Sequence, residues 1–258
     1  MSKKITLFLV LFSSLLLVSC ANLKQIKSVI NSSDSPHSKT GLYIQPELDH
    51  GHMQSPINIR SFREKESNSH EITFNYKDEI KAVENLGHTV QLDFKAGSTV
   101  SYEGIKYDFK QMHFHTPSEH LVDGMTFPME MHIVSTTPLK DKSITPRYLV
   151  LGILFKEGQS NKFLDEFLDK IPKNEDTLAP LKLGTVKLDD LLYSDELHDI
   201  KNFYHYKGSL TTPPYTQTVQ WFVFKHIMEA SPQQIEAINA IEGNNARHIQ
   251  GLFARTID

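Results

Sequence analysis

Tyr148 to Phe155 reads YLVLGILF, a continuous apolar and aromatic run of the kind expected of a strand covered on both faces. Val219 to Phe224 is a second such run, so both strands should lie centrally in a sheet. Around them, from Ile72 onward, short alternating stretches recur: Ile72 to Tyr76, His88 to Phe94 and Met129 to Val134, separated by Gly, Asp and Lys turns. Two helices accompany them. Asn161 to Ile171 places Phe163, Leu164, Phe167, Leu168 and Ile171 on one face and stops before Pro172. The other has Ser231 as N-cap, Pro232 at the first helical position, Gln234 completing a capping box, a stripe of Ile235, Ile238 and Ile241, and Gly243 to end it. The fold class expected is mainly β, a β-rich α+β single domain around a large, mostly antiparallel twisted central sheet with short peripheral helices.

The 258 residues, 39% hydrophobic and 22% charged, suffice for one large domain with its own core. The net charge of −4 is spread over interspersed signs, leaving no basic stripe with which to bind nucleic acid or anionic lipid. The N-terminus differs from the rest. Lys3 and Lys4 precede an apolar run from Ile5 to Val18, and Ser19 stands before Cys20, the layout of a secretory signal over residues 1–19. The run is short for a membrane span and has no stop-transfer flank, so a removed signal is expected rather than a retained helix. Leu17-Val18-Ser19-Cys20 resembles the bacterial lipobox, whose cysteine is acylated; the competing reading is an ordinary signal cleaved near Ser19 or Ala21. Cys20 is the only cysteine, so no internal disulfide and no cysteine metal site can form. Residues 20–40, rich in Ser, Asn, Lys and Asp, suit a hydrated tether ahead of a domain over 41–258.

The chemistry concentrates at His113-Phe114-His115. On a strand, residues two apart share a face, so two imidazoles converge on one point. A lone His-x-His pair is a weak signal, since histidines often stand on strands without a ligand. Met129 to Val134 strengthens it, because Glu130 and His132 share a face there, and a carboxylate beside a ligating imidazole fixes its tautomer. Three neutral histidines with an open fourth position describe a catalytic zinc site rather than a structural one, with water in that position acidified to a pKa of about 7.

With these strands in view the chain resembles the alpha-class carbonic anhydrases, bacterial and with a lipoprotein-type export signal, from roughly Gln54 to Arg255. The matching segments are collinear: Gln54 to Ile59, Asn85 to His88, Gln111 to His115 with Ser118-Glu119-His120, Glu130 to His132, Ser209 to Pro214 with Trp221, and Asn244 to Arg247. The resemblance implies that His113, His115 and His132 bind zinc, that Gln111 and Glu130 hydrogen-bond ligand imidazoles, and that Thr211 sits over the zinc-bound solvent. An ionised Glu119 can only accept, so Thr211 must donate to it and accept from the hydroxide, which aims a lone pair at the substrate. The implied reaction is reversible hydration of carbon dioxide to bicarbonate and a proton, by attack of zinc-bound hydroxide. The implied apolar wall is Val134, Val150, Leu210, Val219 and Trp221, residues that taken singly read as core. Thr212 would lie near the bicarbonate, and Pro213 and Pro214 would stiffen the loop. Anionic or sulfonamide-type inhibitors are implied as further ligands.

Turnover requires the zinc-bound water to lose a proton to buffer, and a histidine, titrating ordinarily at about 6.5, is a natural relay. His88 matches the family's shuttle position. His120 falls on the strand face opposite Glu119 and reads as structural, and His37, His50, His52, His70, His198, His205, His226 and His248 receive no role. The chain departs from the family before Gln54, where its tryptophan-rich segment is not recognisable and Tyr43 is the candidate for a tyrosine of the proton-water network. It also lacks the disulfide that many bacterial relatives place beside the substrate loop. The alternative reading is a catalytically weak, carbonic-anhydrase-like surface binding protein; the ligand histidines, Glu119 and Thr211 argue for the enzyme. A periplasmic or cell-surface location is expected, with the membrane reached only through a lipid at Cys20.

Overall fold

The computed structural model describes residues 51–63, 70–75, 77, 80–138, 145–192 and 202–258. The expected signal, Cys20, the tether, Tyr43 and His50 lie outside them. The described strands are β1 (Asn58–Ile59), β2 (Ile72–Asn75), β3 (Ile80–Asn85), β4 (Val90–Phe94), β5 (Thr99–Tyr102), β6 (Ile105–His115), β7 (Leu121–Val122), β8 (Met129–Thr136), β9 (Tyr148–Glu157), β10 (Thr177–Pro180), β11 (Phe203–Gly208), β12 (Val219–Phe224) and β13 (Met228–Ala230). Eleven of them form one sheet with a spine ordered β10-β3-β4-β6-β8-β9-β12-β11; β13 pairs with β9, and β5 joins β2 to β6. Most pairings are antiparallel, whereas β9 runs parallel to both β12 and β13. The mainly β class with short peripheral helices is what the structure has.

The apolar run that opened the sequence reading explains this sheet. Leu149, Leu151, Ile153 and Phe155 point into one buried cluster with Met112, Phe114, Met131, Ile133 and Phe222. Val150 and Leu154 point the other way, into a second cluster with Val134, Val219, Trp221 and Val223. A strand with apolar neighbours on both faces can be apolar at every position. Strand β9 is accordingly flanked by β8 and β12, while β12 is one place from the edge at β11.

Two boundaries differ from expectation. Strand β4 starts at Val90, because Gly87 and His88 form the two-residue turn of a hairpin: Leu86 N–H donates to Thr89 O at 3.0 Å, and Gly87 takes φ +73°. Positive φ at the first central residue is what such a turn demands and what glycine supplies. The helix expected over Asn161 to Ile171 is broken into an α turn at Lys162–Asp165 and a 3-10 turn at Leu168–Lys170. Phe167, at φ −134°, leaves helical geometry; its ring then packs on Phe114 and Phe163, at 5.7 and 5.5 Å between centroids. Tertiary packing overrides the helical pattern there. The helix at Pro232–Glu242 has the Ser231 and Gln234 capping box and stops at Gly243. Its inward face differs from the isoleucine stripe, since Gln234, Ile238 and Glu242 are the buried residues.

Candidate metal centre

The β6–β8 register sets His113 opposite His132, His115 opposite Glu130 and Gln111 opposite Val134. Directly opposed residues project to the same face. The row continues outward, with Val134 facing Val150, His132 facing Gly152, and Val150 facing Trp221 on β12. One face of four adjacent strands therefore carries three imidazoles, two polar partners and an apolar wall.

The rings of His113, His115 and His132 lie 4.6 to 5.3 Å apart between centroids, and a nitrogen of each lies within 4.8 Å of the others. Gln111 Oε1 is 2.8 Å from His113 Nδ1 and Glu130 Oε1 is 2.8 Å from His132 Nε2. Both oxygens accept, so the proton sits on the bonded nitrogen, and His113 Nε2 and His132 Nδ1 are left with lone pairs. Burial holds all three imidazoles below the ordinary histidine value, His115 to about 4; triad neighbours add to the effect at His113 and His132, and His120 adds to it at His115. They are neutral donors at neutral pH.

Glu130 is the hub of the support. It is fully buried, and burial alone would raise its pKa; the facing His120 and His132 and their hydrogen bonds hold it well below the carboxylate range. Its Oε2 accepts from the N–H groups of Glu119 and His120 at 2.9 and 2.8 Å, and its Oε1 lies 2.7 Å from His120 Nδ1. His120 is not on a strand face, as its sequence position had suggested. It sits in the bend after β6, and its Nε2 continues to Tyr206 OH at 2.7 Å, which donates to Ser55 Oγ at 2.9 Å. Gly152 makes room for this carboxylate: a Cβ there would stand 3.1 Å from Glu130 Oε1 and 3.3 Å from a Val223 methyl. Neither His120 nor Gly152 stood out as functional in the sequence, although a glycine inside an apolar strand is a known sign of close approach.

Glu119 lies on the other side of the triad. Its Oε1 accepts from Arg247 N–H at 2.9 Å; its Oε2 is 3.5 Å from His115 Nε2 and 3.9 Å from His132 Nδ1. Burial pushes its pKa up, against His132, the Arg247 N–H and the Thr211 hydroxyl, which pull it down. Thr211 is thus within electrostatic reach of Glu119. Both ring nitrogens of His115 and Glu119 Oε2 are buried without a well-formed hydrogen bond among the described residues, and Asn245, close enough to His115 to oppose the lowering of its pKa, is the nearest support for that ring. A neutral His115 has one lone pair, and with those of His113 Nε2 and His132 Nδ1 it gives three imidazole donors around one point, a set that fits a divalent cation.

The loop carrying Thr211 is tied down without a disulfide. Ser55 N–H donates to Ser209 Oγ at 2.9 Å, Ser209 N–H to Ser55 Oγ at 3.1 Å, and Trp221 Nε1–H to Ser209 O at 3.0 Å. Arg247 stacks 3.8 Å over the Tyr215 ring and donates to Gln54 Oε1 and Ser55 O. Val134, Val150, Val219 and Trp221 are buried in one cluster with Leu210 against it, whereas Thr212 is exposed. His88 is exposed at its hairpin turn, near enough for its charge to depress His113. Asn245 links that turn to the end of β6, donating to His88 O at 2.9 Å and Phe114 O at 3.1 Å and accepting from Thr116 N–H.

The chain is similar to several known proteins. The family described as eukaryotic-type carbonic anhydrase matches residues 43–257. A carbonic anhydrase of Neisseria gonorrhoeae is 35% identical over 230 residues, covering 87% of this chain and 84% of that protein. The alpha-carbonic anhydrase of Photobacterium profundum superposes with a TM-score of 0.71 at 34% identity, over 81% of this chain and 89% of that one. The Thermovibrio ammonificans alpha-carbonic anhydrase, solved with the inhibitor sulfanilamide, gives 0.70 at 33% identity, over 80% and 86%.

Proposed function

The chain belongs to the eukaryotic-type carbonic anhydrase family and is an enzyme of that class, and from that premise we propose that it hydrates carbon dioxide reversibly at a single zinc ion held by His113, His115 and His132. The observation that carries the reading is the pair of tautomers set by Gln111 and Glu130, which leave lone pairs converging beside the orphaned nitrogens of His115. Zinc bound there supplies a Lewis acid and brings water within reach of deprotonation at neutral pH. The remaining roles belong to the chain. A cation held by the neutral triad would favour ionised Glu119 against its burial, so that the Thr211 hydroxyl donates to the carboxylate and presents its own lone pair to the reacting oxygen.

Val134, Val150, Leu210, Val219 and Trp221 form the apolar wall against which carbon dioxide rests, and Thr212 borders the outgoing bicarbonate. His88 carries the proton between the site and bulk buffer, a role supported by its exposure and its electrostatic reach to His113. We further propose export, acylation at Cys20 and retention at a membrane facing the periplasm or the cell surface. That part rests on the N-terminal sequence alone. The deciding experiment is stopped-flow carbon dioxide hydration before and after zinc removal by a chelator, with a sulfonamide as a second probe. Hydration that survives complete chelation refutes the reading.

A further inference from the structure

We propose that His70, His205 and Asp258 form a second binding site for a divalent transition metal of the zinc type, on the face of the sheet opposite the triad. The sidedness follows from register. His205 on β11 stands opposite Phe222, Phe222 opposite Leu151, Leu151 opposite Ile133, and Ile133 opposite Met112. That row belongs to the large core cluster, whereas the triad shares its face with the other one.

Three observations point to a cation. First, His205 Nε2 lies 2.9 Å from Gln220 Oε1, which can only accept; the proton is therefore on Nε2 and the lone pair on Nδ1. His70 is oriented in the same manner, its Nδ1 2.9 Å from Tyr102 OH, so that Nε2 faces inward. Second, the two inward nitrogens, His70 Nε2 and His205 Nδ1, are buried without a hydrogen-bond partner among the described residues, and the His205 residue is only 3% exposed. Third, Asp258 Oδ2 stands 3.5 Å from His70 Nε2 and 3.6 Å from His205 Nδ1, and the three atoms lie within 4.8 Å of one another. Those separations exceed good hydrogen bonds. They match the ligand–ligand edge of a tetrahedral zinc site, about 3.4 Å when zinc–ligand bonds are about 2.1 Å.

The chemistry of the set agrees. Burial keeps the His205 imidazole neutral, against the opposing pull of Gln220 and Asp258, and a neutral imidazole is the ligating form. Two imidazoles and a carboxylate suit zinc and its first-row neighbours rather than magnesium or calcium. The side chains of His70 and Asp258 are 18% and 28% exposed, so a fourth position opens to solvent and the ion has a way in. The residues are held before any ion arrives: Asp258 and His205 exchange both backbone hydrogen bonds, at 2.8 and 2.9 Å. An ion here fastens the segment before β2 and Asp258 onto edge strand β11, which runs directly into the Ser209–Thr211 loop. In a chain with no cysteine pair, such a clip supplies a cross-link of another kind.

The test uses the purified full chain stripped of metal and titrated with zinc against a chromogenic chelator. Wild type should take up two equivalents, His132→Ala one, and His70→Ala and Asp258→Asn one each, with the hydration rate of the last two retained at the first equivalent. His70 and Asp258 are partly exposed, so these variants avoid the cavity that truncating His205 would open. Cobalt added to His132→Ala should give a d–d absorption band that is lost on adding Asp258→Asn. The proposal is overturned if His132→Ala binds no zinc, or if the second equivalent persists in both His70→Ala and Asp258→Asn. Failure of the triad reading would look different: wild type and His132→Ala would then bind equally.

Discussion

Substituting Gly152→Ala tests how far zinc affinity depends on the position of one carboxylate. The added methyl would stand 3.1 Å from Glu130 Oε1 and 3.3 Å from Val223 Cγ2, so one neighbour must retreat by a few tenths of an ångström. Val223 is fully buried, and Glu130 is fixed by contacts of 2.7 to 2.9 Å to Glu119, His120 and His132, so neither yields freely. Overpacking of this kind costs about 1–3 kcal/mol, and each kcal/mol lowers the melting temperature of a domain this size by about 2–4 °C. A displaced Glu130 also releases the His132 tautomer, and loss of such a partner weakens metal binding by about 10–100-fold. Chemical denaturation reads the first effect and zinc competition against a chelator reads the second. Wild-type zinc affinity in a variant with reduced stability would place the strain on Val223 and refute the account of Gly152 as clearance for Glu130.

Thr211→Ala should retain zinc yet lose hydration by about two orders of magnitude or more, the scale of removing one preorganised transition-state partner; a wild-type rate would dispose of its proposed link with Glu119. His88→Ala should lower kcat in dilute buffer by about tenfold while leaving kcat/KM nearly unchanged, and free imidazole should restore turnover. An unaltered kcat in weak buffer would send the proton by another route. Burial raises the pKa of Glu242 well above the ordinary value, against hydrogen bonds from Val90 N–H and Thr116, so the folded state holds this proton more tightly than the unfolded chain. Its contribution is full below the unfolded pKa and is lost as pH rises through the raised one, by up to about 1.4 kcal/mol per pH unit. Denaturation across that window should show the decline in wild type and a flatter profile in Glu242→Gln. Full-length protein should partition with membranes and incorporate labelled fatty acid, and Cys20→Ser should do neither; unlabelled soluble wild type points to the ordinary signal.

What could be read in advance was whatever local periodicity determines. Period two put His113 and His115, and Glu130 and His132, on shared faces, and the capping box marked the start of the Pro232 helix. What could not be read depends on contacts between distant segments. Arg247 reaches Glu119 across 128 positions and Ser55 across 192, and nothing local in either segment announces the other. The break at Phe167 follows from two aromatic contacts rather than from helix propensity. Glu242 looks like an exposed helix-end residue until Thr116 and Val90 are brought against it. His70 and His205 carry no motif at all; the Tyr102 hydroxyl beside His70 and the pairing of Asp258 with His205 on β11 bring the three residues to one place.

The two faces of the sheet explain why the triad can be both accurate and stable. A one-residue slip in strand pairing inverts every side chain, so a metal site spread over β6 and β8 is only as definite as their register. Here the opposite face settles it: Met112, Phe114, Met131 and Ile133 alternate with the ligands and are all fully buried. A slip would bury three imidazoles among core residues and drive four large apolar side chains into the site. The same residues that contribute most to folding therefore hold the ligands in place, and the ligands are free to be polar because their alternates are not. His113 and His132, directly opposed, then offer different ring nitrogens, Nε2 and Nδ1, so that rings rooted at the same level meet at one point from unequal reach. The register of the core thus fixes where the three imidazoles stand before any ion arrives.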